Sequence, residues 1–146
     1  MAGFLNQGIK KLTESLISMD PNLRASIAIG LGAIPGALSR YYLSLYCTHL
    51  FGTEFPVGTL IVNITGAFLI GLFITYLGKH AIVAPELKLL VTVGFLGSYT
   101  TFSTYALDTV NLWRSNSAIA IAYLFGSPLL GILGLELATL LARKFP

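Results

Sequence analysis

The chain has 146 residues, of which 55% are hydrophobic and only 10% charged, with a net charge of +3 and a pI of about 9.1. Soluble domains carry about 25% charged residues. A mean hydropathy of +0.79 leaves too little polar surface to clothe a small globule, so lipid is the expected solvent. The basic balance does not point to nucleic acid, because Lys and Arg fall between long apolar runs rather than in one patch. Cys47 is the only cysteine, which excludes an internal disulfide or a cysteine metal cluster, and it is expected to pack as a small apolar residue.

Residues 1–22 read as an amphipathic surface segment. Leu5, Ile9, Leu12, Leu16 and Met19 form one helical stripe, with Lys10, Lys11 and Glu14 between its members. Those charges also argue against a cleaved signal. Asp20-Pro21 ends the segment, and Asp20 is placed to cap the next helix. Residues 23–146 then form one domain with no linker and no internal repeat.

Four membrane-spanning helices are predicted, at about Arg24–Leu50, Val57–Leu77, Glu86–Trp113 and Ser117–Leu141. Their short connections require antiparallel neighbours. Lys10, Lys11, Arg24, Lys79, Lys88, Arg143 and Lys144 fall on the side of both termini and only Arg114 on the other, which predicts cytoplasmic termini. Gly32 and Gly36, Ala67 and Gly71, and Gly94 and Ser98 have the spacing that lets helices approach closely in lipid.

The polar residues inside the spans need an explanation. Arg40 lies deep in the first span, where arginine costs about 2.5–3.5 kcal/mol on insertion scales. It fits an anion-attracting vestibule, a buried polar anchor, or snorkelling to an interface. Asn63, with Thr59 one turn before it, fits either an interhelical hydrogen bond or a pore-lining donor to a dehydrated anion. In the third span the run from Gly94 to Tyr105 holds two glycines, three threonines and two serines. Two conformations fit it. One is a continuous helix whose hydroxyls bond back to their own backbone. The other is a helix broken near its middle, with freed carbonyls that line a cavity or bind a cation. Phe102 and Tyr105 share a face, and the electropositive edges of their rings offer an anion a weak site as an alternative to simple packing. Asp108 follows one turn later, as a vestibule group or an interfacial cap. Tyr123 and Ser127, four apart in the last span, form either a polar line or a packing pair.

Three segments together resemble the Fluc (CrcB) fluoride channel family. Gly36-Ala37-Leu38-Ser39-Arg40-Tyr41 is similar to its glycine-alanine…arginine-aromatic motif. GTLIVNITGAFLIG, from Gly58 to Gly71, resembles GTL-x-x-N-x-x-G, and GFLGSYTTFSTY, from Gly94 to Tyr105, resembles GF-x-G-x-x-TTFSTF. The resemblance covers nearly all of the chain from Leu23 onward. It implies an all-α protein of the bacterial inner membrane, built as a dimer of antiparallel subunits with two fluoride pores. It also implies that Asn63 and Phe102 line the fluoride path, with Tyr105 at the second aromatic position and Tyr123 and Ser127 on a polar track. The backbone carbonyls of Gly97 and Thr100 from both subunits would hold one structural sodium ion. The chain departs from the family pattern at Tyr105, where phenylalanine is usual, and at Gly131, where a hydroxyl is usual. The seven-to-one charge bias is a third departure, and it raises a heterodimer with an oppositely oriented paralogue beside the homodimer.

Three other functions fit the residues less well. A small multidrug-type four-helix transporter needs a carboxylate in its first span, where this chain has Arg40 and no Asp or Glu. A membrane scaffold needs none of the mid-span polar residues. An enzyme is not expected, since His49 and His80 fall near different loops and no embedded acid–base pair is present.

Overall fold

The computed structural model describes residues 6–8, 10, 18–79 and 83–144, and no strand occurs among them. The surface segment expected over residues 1–22 lies mostly outside these residues, as does His80. Helix α1 spans Pro21–Phe51 and α2 spans Val57–Lys79. A short helix α3 (Pro85–Leu89) runs directly into a π-helix (Leu90–Leu96) and a last turn, α4 (Gly97–Tyr99). Then follow α5 (Phe102–Ser115) and α6 (Ser117–Lys144).

The ends of these helices are written in the sequence. The Asp20 carboxylate accepts from the Asn22 and Leu23 N–H groups at 2.8 and 3.3 Å, and Pro21 fills a position where no N–H is needed. Gly52, at φ 77°, turns the chain out of α1 while its N–H still reaches the Thr48 carbonyl. Asn116 serves two helices. Its N–H closes α5 on the Leu112 carbonyl at 2.7 Å, and its side-chain oxygen caps Ala118 and Ile119 at the start of α6.

At 1.5 Å per residue, the 31 residues of α1 reach about 47 Å and the 28 of α6 about 42 Å. Two segments, Val57–Leu77 and Ser117–Lys144, are both long and apolar enough to cross a membrane by composition. Helix α1 is long enough but diluted by polar residues such as Arg24 and Arg40. The third segment is divided at Thr100–Thr101, so neither piece alone has the required length.

Close approach of backbones sets the packing. The π-helix lies against α1 in parallel. Gly32 faces Leu90 and Phe95, Gly36 faces Phe95, and Gly94 faces Ile29 and Gly32. A Cβ on Gly94 would stand 2.5 Å from the Ile29 carbonyl oxygen and 2.9 Å from the Gly32 Cα. Only glycine fits, because main chain lies opposite and cannot swing away. An Arg24–Glu86 ion pair at 3.4 Å joins the starts of α1 and α3. Helix α6 runs parallel to α2, with Gly131 facing Ala67 and Gly71 facing Leu135. Helix α2 runs antiparallel to the third segment, with Asn63 meeting Thr101 and Thr65 meeting Tyr99.

Large apolar side chains point outward. Ile27, Leu31, Ile34, Leu38, Tyr41 and Leu45 form an exposed stripe along α1. Such a surface is stable against hydrocarbon or another apolar surface, not water. Cys47, in contrast, is buried in the packing of α1, as a small apolar residue would be.

The Gly94 contact yields a direct test. Gly94→Val should lower stability by about 1–3 kcal/mol or more, as overpacking does, read as a lower melting temperature in detergent. Gly30, which has nothing within 4 Å of where a Cβ would stand, should accept alanine without loss.

Candidate functional site

The site is built around the interruption between α4 and α5. Thr100 (φ −80°, ψ 158°) and Thr101 (φ −149°, ψ 119°) are extended, so the helical ladder stops at Tyr99 and restarts at Phe102. The Thr100 hydroxyl bonds back to the Leu96 carbonyl at 3.0 Å, one of the back-bonds a continuous helix would also have made. What keeps the break open is the Asn63 amide. Its Nδ2 donates to the Thr101 carbonyl at 3.0 Å, and its Oδ1 accepts from the Thr101 N–H at 2.8 Å. In a continuous helix that N–H would have closed on the Gly97 carbonyl. The Thr101 hydroxyl accepts from the Thr104 N–H at 3.2 Å and so caps α5. Gly66 lets the Thr100 methyl and the Tyr99 ring lie directly on α2.

An open groove of about 480 Å³ runs past this break. Asn63, Gly97, Thr100, Phe102, Tyr105 and Ser127 all line it, so six of the residues singled out in the sequence meet in one place. No charged side chain is among the lining residues. Gly131 lines it too, at the position where the family pattern has a hydroxyl.

The two aromatic positions differ sharply. Phe102 is 79% exposed, whereas Tyr105 is 7% exposed and its hydroxyl donates to the Leu124 carbonyl at 2.6 Å. Their ring centroids are 5.8 Å apart. The row continues from Tyr105 to Tyr123 at 5.4 Å and from Tyr123 to Phe55 at 5.5 Å, the last pair edge to face. Tyr123 and Ser127 also line a smaller cavity of about 190 Å³ with Phe55 and Leu60. The Tyr123 hydroxyl is buried and has no hydrogen-bond partner among the described residues.

The remaining sequence candidates lie apart from the groove. Thr59 is buried in α2. Arg40 is half-buried on α1, one turn beyond Gly36. Asp108 lines a separate polar cavity of about 210 Å³ with Glu54, Asn111 and Ser115, and one of its carboxylate oxygens is buried without a partner among the described residues.

Sequence reasoning missed several participants. Thr101 holds the break through its backbone, which no side-chain pattern reveals. Tyr99 and Thr65 share a hydrogen bond at 2.8 Å across α4 and α2. Phe55 sits in a loop, where aromatic periodicity has no meaning. Pro128, four residues after Leu124, was the one legible signal, since a proline inside a helix frees the carbonyl four residues earlier.

The Asn63 amide satisfies two main-chain groups at once, so Asn63→Leu should cost about 1–3 kcal/mol and expose the amide at Thr101 to faster hydrogen exchange. Thermal unfolding and residue-resolved exchange in detergent measure both. An unchanged melting temperature and unchanged exchange would remove Asn63 from this role.

The family model described as "CrcB-like protein, Camphor Resistance (CrcB)" matches residues 27–139. A protein of Synechococcus sp. named "Fluoride-specific ion channel FluC" is 52% identical over 126 residues, which cover 86% of this chain and 97% of that protein. Proteins of the same name from Trichormus variabilis and Synechocystis sp. are 48% and 46% identical. These alignments cover 84% and 86% of this chain and 91% and 98% of the relatives. With the family model matched over residues 27–139 and relatives about half identical over most of its length, the chain belongs to the CrcB family.

Proposed function

We propose that the protein is a fluoride-selective ion channel that passively exports fluoride from the bacterial cytoplasm across the inner membrane and so reduces fluoride toxicity. The observation that carries this reading is the exposed Phe102 ring on an uncharged groove beside Asn63, at the head of a row of rings. A phenyl edge is weakly electropositive and attracts an anion without holding it as a fixed charge would. One Asn63 N–H is committed to Thr101, and its amide nitrogen retains a second. The name carried by close relatives over nearly their whole length supports fluoride as the ion. Hydrogen fluoride enters cells as a neutral acid and dissociates inside. An inside-negative potential drives the anion out by about 2.3 kcal/mol per charge per 100 mV, so no ATP is needed.

In this reading the chain crosses the membrane four times, α3, the π-helix, α4 and α5 together making the third crossing. Two antiparallel copies, or one copy and an oppositely oriented paralogue, enclose the path. The groove is open on one side, and the outward apolar stripe of α1 leaves room for a partner as well as for lipid. Arg40 and Asp108 serve the vestibules or the scaffold. Tyr123 and Ser127 continue the track, with Thr59 behind them.

The break also suits a structural sodium ion. A hard monovalent cation takes oxygen ligands, and no group of three His, Cys, Asp or Glu is available among the described residues. Asn63 withdraws the Thr101 N–H from the Gly97 carbonyl, and Thr100 is extended, so main-chain oxygens of Gly97 and Thr100 are the donors that fit. Two carbonyls per subunit make four on a twofold axis.

Purified protein in liposomes should pass fluoride and not chloride, and Phe102→Ile should abolish most of the flux while assembly, followed by size-exclusion chromatography, is kept. Equal chloride and fluoride flux would reject the reading. Replacing sodium on both sides by a much larger cation should lower fluoride flux in the wild-type protein. Unchanged flux in thoroughly sodium-free medium would remove the cation from the site.

A further inference from the structure

Tyr105 is where this chain departs from the phenylalanine usual in the motif, and the structure gives its hydroxyl a definite task. Helix α6 runs unbroken from Ser117 to Lys144 with Pro128 inside it. Proline has no N–H, so the Leu124 carbonyl, four residues earlier, loses its helical donor. In hydrocarbon, water cannot replace that donor, and a neighbouring group has to. The Tyr105 hydroxyl, reaching across from α5, is 2.6 Å from that carbonyl oxygen. The ring that carries it is buried, in contact with Tyr123 on one side and Phe102 on the other.

We infer that the Tyr105 hydroxyl makes Tyr105 a positioning residue and is not itself a donor to fluoride. Its hydroxyl proton is committed to the carbonyl that Pro128 releases, and that bond fixes the ring orientation against which Phe102 is presented to the groove. A phenolic O–H has one proton, so the group that donates to Leu124 has none for an anion and presents it only an oxygen. Tyr105 and Pro128 therefore act as a pair. The tyrosine is useful because the proline is there, and the proline is tolerated because the tyrosine is there. The functional half of this inference rests on the fluoride-channel reading, while the pairing itself does not.

A double-mutant cycle on the assembled protein tests it, using Tyr105→Phe, Pro128→Ala and the double variant. Each is followed by thermal melting in detergent and by fluoride efflux from liposomes. Alanine at 128 restores the N–H that reclaims the Leu124 carbonyl. In the wild-type background Tyr105→Phe should lower the melting temperature and cut fluoride flux by about tenfold, the equivalent of one hydrogen bond. In the Pro128→Ala background the same change should alter neither by more than about twofold. A fluoride-donating hydroxyl would lose flux equally in both backgrounds, and that result would overturn the inference. So would independent melting shifts, or a Tyr105→Phe protein that melts and conducts like the wild type. Coupled melting shifts in a protein that passes no fluoride would uphold the pairing, overturn the positioning role and reject the channel reading. Fluoride flux without coupling would overturn the inference and leave the channel reading standing.

Discussion

The Asn63 amide and the main chain of Thr101 form the contact on which the rest of the site depends. A helix broken in an apolar surrounding leaves donors and acceptors that hydrocarbon cannot satisfy, and each costs on the order of several kcal/mol if left bare. An amide side chain serves both needs at one residue, because it donates from one atom and accepts at another in the same plane. Here both bonds are made, at 3.0 and 2.8 Å, to the N–H and the C=O of one residue. Thr101 can then stay extended, α5 can restart with Phe102 at its first position, and the Phe102 ring emerges on the groove. Were Thr101 helical, the direction of α5 relative to α4 would change, and the row of rings would lose its origin.

Glycine makes the same point in a different medium of exchange, the van der Waals radius. The π-helix passes α1 with main chain against main chain, at Gly94 on one side and Gly32 and Gly36 on the other. Without a hydrophobic drive between helices in lipid, such close fits supply the cohesion through dispersion. The segment they hold continues through the Gly97–Tyr99 turn to Thr101, where Asn63 of α2 binds it. The stacked Phe95 and Tyr99 rings, 5.9 Å apart, and the Tyr99–Thr65 bond tie the same turn from the other side. Packing and the polar clasp are therefore one mechanical unit.

Much of this was legible in the residues. Asp20, Pro21, Gly52 and Pro85 stand at helix ends, the small pairs lie where helices approach, and six candidate residues line one groove. For Asn63 the residues left two roles open, and the coordinates give the amide an interhelical bond while keeping it at the groove wall. The run from Gly94 to Tyr105 left a continuous and a broken helix open, because hydroxyl back-bonds such as Thr100 to Leu96 occur in either. Only the tertiary contact with α2 separates them. Shared helical spacing likewise placed Phe102 and Tyr105 on one face, yet one is exposed and the other buried, because Tyr105 packs against Tyr123 and bonds to Leu124 on α6 while Phe102 opens on the groove. Periodicity reports the face of a helix and not what a neighbour places against it.

The uncharged groove is consistent with the need to release an anion as well as to attract one. Lys and Arg are absent from its lining, which includes the Asn63 amide, the rings of Phe102 and Tyr105 and hydroxyl residues such as Thr100 and Ser127. A fixed unit charge 4 Å away would hold an anion by about 4 kcal/mol at an effective dielectric of 20. That would slow its departure by roughly a thousandfold. Ring edges and single hydrogen bonds are each worth about 1 kcal/mol, so several can strip water from a small anion step by step while no single one traps it. Binding strong enough to dehydrate and weak enough to release requires many small terms in a row. Under the fluoride-channel reading, the row from Phe102 through Tyr105 and Tyr123 to Phe55, with centroids 5.4 to 5.8 Å apart, would supply such terms. Its geometry is held by two firm bonds, at the Thr101 main chain and at the Leu124 carbonyl. Under that reading labour is divided between weak contacting groups and the firm bonds of Asn63, Thr101 and Tyr105, which fix the wall they stand on.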